Sequence, residues 1–298
     1  MYKISIWALV AGFSTLAVAG ETVNEPGLSA PQIVEKNISA RGGLEAWQKL
    51  QSMVWVGHIE SDNAPAPSLS FALEMKRPDK TRFEIKAQNQ TSVRMYDGAH
   101  GWKLHPGRNG KPDVEPYTAE ELNFARDGQG IDGPLMDCQA KGIAVALEGE
   151  DNVEGHKAYR LSVKLPSGKI HHVWIDVMTF LDIKYDRQSR NSLGHPVTVS
   201  VFNRNYQTIE GLQLPFLIET STDATKATDK MVIDRISLNL SLPDRMFAKP
   251  NVSGWSKAAM GDINSLQSSR PAVRSDSVLS SGFPKLSAGS VPDSGMTQ

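Results

Sequence analysis

Apolar and polar positions along this chain follow two rhythms. The first is helical. Ser29 offers an N-cap, Pro31 sits in the first turn where its missing N–H costs nothing, and Ile33, Val34 and Ile38 follow on one face. Gly42-Gly43 stops or kinks that helix, and Leu44, Trp47 and Leu50 resume it. The pattern predicts an amphipathic helical hairpin that needs an apolar surface to lie against.

From Gln51 the period changes to two. Val54, Val56 and His58 alternate with Trp55 and Gly57; Leu69, Phe71 and Leu73 share a parity, as do Phe83 and Ile85. Arg77-Pro78-Asp79-Lys80 reads as a turn between the last two segments, and Asp97-Gly98 separates a strand at Val93–Tyr96 from one at Trp102–Leu104. Later, Tyr159, Leu161, Val163 and Leu165 alternate with polar residues, and Pro166-Ser167-Gly168 turns the chain into a strand carrying Val173 and Ile175. Val197 to Val201, Leu212 to Ile218 and Ile236 to Leu242 repeat the alternation. Strict alternation describes an antiparallel sheet covered on one face, with about ten to twelve strands. Two mid-chain segments read as helical: Thr118–Arg126, capped by Thr118 with Glu120 and Glu121 in its first turn, and a weaker one over Gly130–Cys138. The expected fold is therefore mainly β: a strongly curved antiparallel sheet, an incomplete barrel, with N-terminal and mid-chain helices over its concave face.

The two ends of the chain differ from this body. Lys3 precedes an apolar run, Ile4–Val18, which closes on Ala17-Val18-Ala19, the small-x-small pattern of a cleaved signal peptide over residues 1–19. The run is short for a membrane span, and no Cys follows it to accept a lipid. An exported, periplasmic and soluble mature protein is the expectation. The ordered domain is expected over residues 29–250. Beyond it, residues 256–298 are rich in Ser, Gly, Pro and Ala, which predicts a flexible tail, with Trp255 available to pack on the domain.

Composition narrows the function. Of 298 residues, 40% are hydrophobic and 22% charged, and 32 Lys and Arg balance 33 Asp and Glu. With no concentrated basic surface, nucleic acid is not an expected partner. Cys138 is the single cysteine, so no internal disulfide forms, and the expectation is a small buried apolar residue. Phosphate-binding glycine loops and a G-x-S-x-G elbow are absent from the sequence. His171 and His172 are adjacent, so on a strand they point to opposite faces and cannot share a metal ion. Glu120-Glu121 suits a helix N-terminus, and Asp176 suits a turn. No cofactor and no enzymatic activity are expected.

What remains is an apolar supply larger than a flat sheet needs, including Phe180, Phe202 and Met231. A curved sheet lidded by helices would turn that supply into a hydrophobic cavity, and methionine suits a lining that re-packs around varied ligands. Strand parity assigns the lining to Phe71, Phe83, Ile85, Trp102, Leu135, Met136, Leu161, Val163, Trp174 and Phe216.

Several segments carry a resemblance. The helix with Ala40-Arg41-Gly42-Gly43-Leu44-Glu45-Ala46-Trp47 runs straight into the first strand. Met95-Tyr96-Asp97-Gly98 is followed by Trp102, and Val173-Trp174-Ile175-Asp176 by Thr179-Phe180-Leu181. Asn205-Tyr206-Gln207 leads to Ile209-Glu210-Gly211-Leu212-Gln213-Leu214-Pro215, and Leu242-Pro243-Asp244-Arg245-Met246-Phe247 closes the domain. In order and spacing the chain resembles the periplasmic outer-membrane lipoprotein carriers and lipoprotein-sorting proteins, the LolA/LolB-like group. That resemblance implies a half-barrel that shields acyl chains and hands them over between donor and acceptor proteins of the inner and outer membranes. It also implies an arginine that holds a lid, for which Arg41, Arg82 and Arg94 are candidates by type. The reading is a carrier or binder of lipid, lipoprotein acyl chains or another apolar ligand. The rival is a sensor on the same fold that regulates a protein partner.

Overall fold

The computed structural model describes residues 27–61, 68–87, 90–107, 111–128, 130–190, 195–223 and 225–251. The expected signal peptide, Trp255 and the expected tail lie outside the described residues. The helical hairpin forms as α1 (Ala30–Ala40) and α2 (Leu44–Lys49). The Ser29 backbone N–H donates to Gln32 Oε1 at 2.8 Å, which satisfies one of the helix's orphan donors. Gly42, at φ +111°, ends α1; a Cβ there would stand 2.6 Å from the Gly211 carbonyl oxygen, so the hairpin can press on the sheet only with glycine at this position.

A first run of strands follows: β1 (Ser52–Ser61), β2 (Leu69–Lys76), β3 (Lys80–Ala87), β4 (Gln90–Tyr96), β5 (Gly101–Pro106) and β6 (Pro112–Pro116). After α3 (Ala119–Asp127) come β7 (Ala144–Val153), β8 (His156–Lys164), β9 (Ile170–Asp176), β10 (Asp182–Arg190), β11 (Pro196–Ile209), β12 (Leu212–Thr222) and β13 (Thr225–Leu238). These thirteen described strands form a single antiparallel sheet in the order β6-β5-β4-β3-β2-β1-β13-β12-β11-β10-β9-β8-β7. The sheet does not close, as an incomplete barrel requires. The sequence pattern undercounts the strands because the two at the edges, β6 and β7, are largely exposed and carry little apolar alternation. Proline and charge on an edge strand deter pairing with another chain.

The order has a geometric consequence. The first and last strands pair at the centre, and the middle of the chain lies at both edges. Residues 117–143, which join β6 to β7, must therefore span the whole sheet. Thr118 caps α3 through the Glu121 N–H at 3.2 Å, as the pattern predicts. Gly130–Cys138 forms a chain of turns rather than the helix expected there. Its two glycines, Gly130 and Gly133, both take positive φ, which a helix does not allow.

Curvature is built in where β1 meets β13. The pairing slips between Val56 and Gly57, which leaves Asp234 of β13 as the extra residue of a bulge that bends that strand. A Cβ on Gly57 would lie 2.0 Å from the Val232 carbonyl oxygen, so this bend requires glycine.

Both faces of the sheet are buried near its centre. On the concave face, Trp47 and Leu50 pack with Met53, Phe71, Leu73, Phe83, Leu214 and Ile236 in the main core. Beside it, Ile33 and Val34 of α1 pack on Leu161, Val163, Val173 and Ile175, with half-buried Cys138 against the same cluster. On the convex face, Val54, Val56 and Ala72 lie under Leu242 and Phe247. The alternation through Leu242 therefore does not describe one strand. β13 ends at Leu238, Asn239 takes φ +55°, and the chain turns onto the other face. The Asn239 Oδ1 accepts the Gln51 N–H at 2.8 Å and fixes that turn. Among the described residues no helix is long and apolar enough to cross a membrane.

Phe247 is fully buried and is the largest apolar side chain that the closing segment contributes. Phe247→Ala should cost about 3–5 kcal/mol in a chemical denaturation experiment. A loss under about 1 kcal/mol would show that this segment does not form part of the cooperative unit.

Candidate ligand-binding cavity

Between the concave face and the segment that crosses it lies a cavity of about 400 Å³. This is within the usual size range of small-molecule sites. One wall comes from the first arm of the sheet: Met53 and Trp55 on β1, Leu73 and Met75 on β2, and Phe83 on β3. The other comes from the second arm, with Val173 on β9, Tyr185 on β10 and Leu214 and Ile218 on β12. Phe124 of α3 with Ile131, Pro134 and Leu135 of the turns after it forms the cover.

Ion pairs fasten that cover. Asp132, which is 5% exposed, receives both Arg77 terminal nitrogens, at 2.6 and 3.2 Å, in a bidentate pair. Lys141 approaches the same carboxylate at 3.4 Å, and the Arg41 guanidinium donates to the Asp132 carbonyl oxygen at 3.2 Å. Arg41 also lies over the Trp47 ring, 4.3 Å from its centroid. On α3, Glu121 accepts from Arg94 at 2.6 Å and pairs with Lys103 at 3.2 Å, which ties the helix to β4 and β5. Burial pushes the Glu121 carboxyl up, but the Thr118 N–H and Arg94 outweigh it and hold it below its ordinary value of 4.5. Two of the three candidate arginines thus touch the cover. Arg82 does not: it faces the convex side, paired to buried Glu74 at 3.0 Å and to buried Glu84.

The structure distributes the expected lining residues over four places. Phe83 and Leu135 line the cavity. Phe71, Ile85, Met136 and Phe216 pack in the main concave core around it; Phe71 lies against Phe83 with ring centroids 6.0 Å apart. Leu161 and Val163 also face the concave side, but α1 fills the space above them. Trp102 and Trp174 are placed differently from the expectation, on the convex face. Trp102 pairs with Met95 while Arg94 faces the cavity, and Trp174 pairs with Lys184 while Val173 and Tyr185 face it. Adjacent residues on a strand point to opposite faces, so parity decides both. The Trp174 indole N–H donates to Asp151 at 3.0 Å, and the Lys184 ammonium sits 4.1 Å from its ring centroid.

Reading the sequence alone misses Trp55, Met53, Leu73, Met75, Tyr185 and Arg187 in the lining. β1 is apolar on both faces, so its alternation could not say which side is concave. β10 reads Asp-Ile-Lys-Tyr-Asp-Arg-Gln-Ser-Arg and gives almost no apolar signal. The remaining sequence candidates have structural partners. His171 lines the cavity, whereas His172 turns away to Asp186 at 3.0 Å. Asp176 accepts the Met178 and Thr179 N–H groups at 3.0 and 2.7 Å, an Asp-stabilised turn.

No protein-family model matches the chain, and no curated protein matches it in sequence. Among solved structures it is similar to a LolA superfamily protein from Nitrosomonas europaea, with 16% identity over 75% of this chain and 99% of that one and a TM-score of 0.48. It is also similar to a protein from Vibrio parahaemolyticus described as an outer membrane lipoprotein-sorting domain, with 11% identity, 73% and 95% coverage and a TM-score of 0.49. A third is a DUF1329 family protein from Desulfovibrio piger, with 12% identity, 74% and 97% coverage and a TM-score of 0.49.

Two expectations follow for the cover. Asp132→Asn would strip the counter-charge from Arg77 and Lys141, and hydrogen exchange over residues 130–142 should accelerate by about tenfold or more. Unchanged exchange there would mean that apolar contacts alone hold the segment. A carboxylate depressed in the folded state contributes stability that is complete above its unfolded value and is lost as pH falls through its folded one. Amide shifts of residues 118–127 should therefore be constant above the ordinary glutamate range and move as pH drops below 4.5. Glu121→Gln should abolish that transition.

Proposed function

We propose that this chain is exported to the periplasm, where its half-barrel binds an apolar ligand, a lipid or a lipoprotein acyl chain, and carries it between membrane-bound partners. The observation that carries the reading is the cavity, apolar on both arms and roofed by a segment that ion pairs and a few buried apolar side chains, Ile131, Leu135 and Met136, hold in place. An exposed methylene costs about 0.8 kcal/mol in water, so a carrier needs a dry surface of this kind. The partly exposed Arg94–Glu121 pair can be exchanged for water at modest cost, which lets α3 move without unfolding the sheet, while the buried Asp132 pair anchors the turns after it. The reading is of a binder rather than a catalyst because most ionisable groups of the lining are occupied in structural pairs: Glu121 with Arg94, Asp127 with Lys169, and Asp182 with Arg41.

Phe83 stands on the wall and its replacement by a carboxylate would place a charge where the ligand must lie. Phe83→Asp and Ile218→Asp should each weaken binding of a fluorescent acyl-chain probe by about tenfold or more, about 1.4 kcal/mol, in variants whose circular dichroism is unchanged. Two folded variants that bind like the parent would place the site elsewhere.

A further inference from the structure

One cation in the cavity has no counter-charge among the described residues. The charged residues of the lining are Arg41, Arg94, Lys169 and Arg187, with Glu121, Asp127, Asp132 and Asp182. Arg94 pairs with Glu121, Lys169 with Asp127, and Arg41 with Asp182, while Asp132 is taken by Arg77 and Lys141 from outside the lining. That leaves Arg187 on β10. It is only 5% exposed, and its Nη2 is a buried donor with no acceptor. Among the described residues its one close partner is the Phe124 ring of α3, 4.7 Å from the guanidinium carbon, a contact that uses the flat face and none of the N–H groups. Across the strand pair, His171 lines the same cavity and adds no negative charge. The neighbouring acid, Asp186, points to the other face, where it accepts from His172. Burial pushes the guanidinium below its usual value and outweighs the opposing effect of Tyr185.

Burying an unpaired guanidinium is unfavourable, and a sequence with no use for it would hold an apolar residue there. A second observation points the same way. The Trp55 indole N–H, also in the lining, is buried without an acceptor. Two further lining atoms without a hydrogen bond, Arg41 Nε and Asp182 Oδ1, face each other as an ion pair at 3.7 Å; the two orphans left over are both donors, so the missing group carries acceptor oxygens.

We propose that Arg187 receives the acidic headgroup of an anionic amphiphile, a carboxylate or a phosphate, whose acyl chain lies along Trp55, Leu73, Met75, Phe83 and Ile218. This deepens the carrier reading and rests on it: the apolar walls take the chain, and the arginine selects its charge. Charge-assisted bonds to a guanidinium fork are stronger than neutral ones, and more so in a dry site. The empty protein carries the cost of the buried charge, and the bound ligand relieves it.

The test compares three amphiphiles of one chain length, hexadecanoate, hexadecyl phosphate and hexadecan-1-ol, on the full exported protein at about pH 8, where both acids are ionised. The parent should bind at least one of the acids about tenfold or more tightly than the alcohol. Arg187→Met keeps the stem and removes the charge, and should bind all three alike; Arg187→Lys should restore part of the preference. Whichever acid wins identifies the headgroup. The empty Arg187→Met protein should also melt higher than the parent. Equal binding of acids and alcohol by the parent, a preference that survives in Arg187→Met, or a lower melting temperature of that variant would each overturn the assignment while leaving the carrier reading intact. Failure of the parent to bind any of the three would remove both.

Discussion

An open sheet with its first and last strands paired at the centre forces the middle of the chain to cross from edge to edge. Here β6 and β7 are the edges, and residues 117–143 make the crossing. They do so over the concave face, where the apolar residues of both arms need cover. A segment of one short helix and a run of turns is too thin to fill a curved trough. The N-terminal hairpin fills part of it, with Ile33 and Val34 over β8 and β9 and Trp47 over β1 and β2. The unfilled remainder is the cavity. Its existence is thus a result of chain order and curvature, and the slip at Gly57 is one of the places where that curvature is set.

The same geometry explains how polar interactions are distributed. The sheet is held by backbone bonds and by apolar burial on both faces, including the closing segment from Leu240 to Phe247 on the convex side. The crossing segment adds only Ile131, Leu135, Met136 and Ile143 to those buried clusters, and charge completes its attachment: Asp132 to Arg77 and Lys141, Glu121 to Arg94 and Lys103. Such attachments fix position well but are weaker against water than a packed core, which is what a cover that opens requires. Arg187 departs from this pattern because it has a place in the wall and, among the described residues, no acceptor for its buried Nη2.

Much of this was legible in the residues, and for identifiable reasons. The alternation of Leu161, Val163 and Leu165, or of Val197, Val199 and Val201, marks strands with one buried face, and Gly42-Gly43 marks a stop or kink in a helix. Thr118 with Glu121 marks α3 from its capping pattern alone. What the pattern could not show is which face is concave. Parity gives two faces and no sign, so Phe83 fell on the cavity side while Trp102 and Trp174 fell on the other. A polar residue in a buried site looks like a surface residue, and β10 with Tyr185 and Arg187 was invisible for that reason. The run from Ile236 to Leu242 misleads in another way. Its alternation of Ile236, Leu238, Leu240 and Leu242 continues across a change of face, because Asn239 turns the chain without breaking the spacing.

Whether the cavity holds an apolar ligand in the cell is tested most directly by native mass spectrometry of the protein purified from a bacterial envelope without detergent, before and after solvent extraction. An added mass in the lipid range is expected, which extraction removes and incubation with membrane vesicles restores. A protein that shows only its own mass, both as purified and after incubation with vesicles, would contradict it.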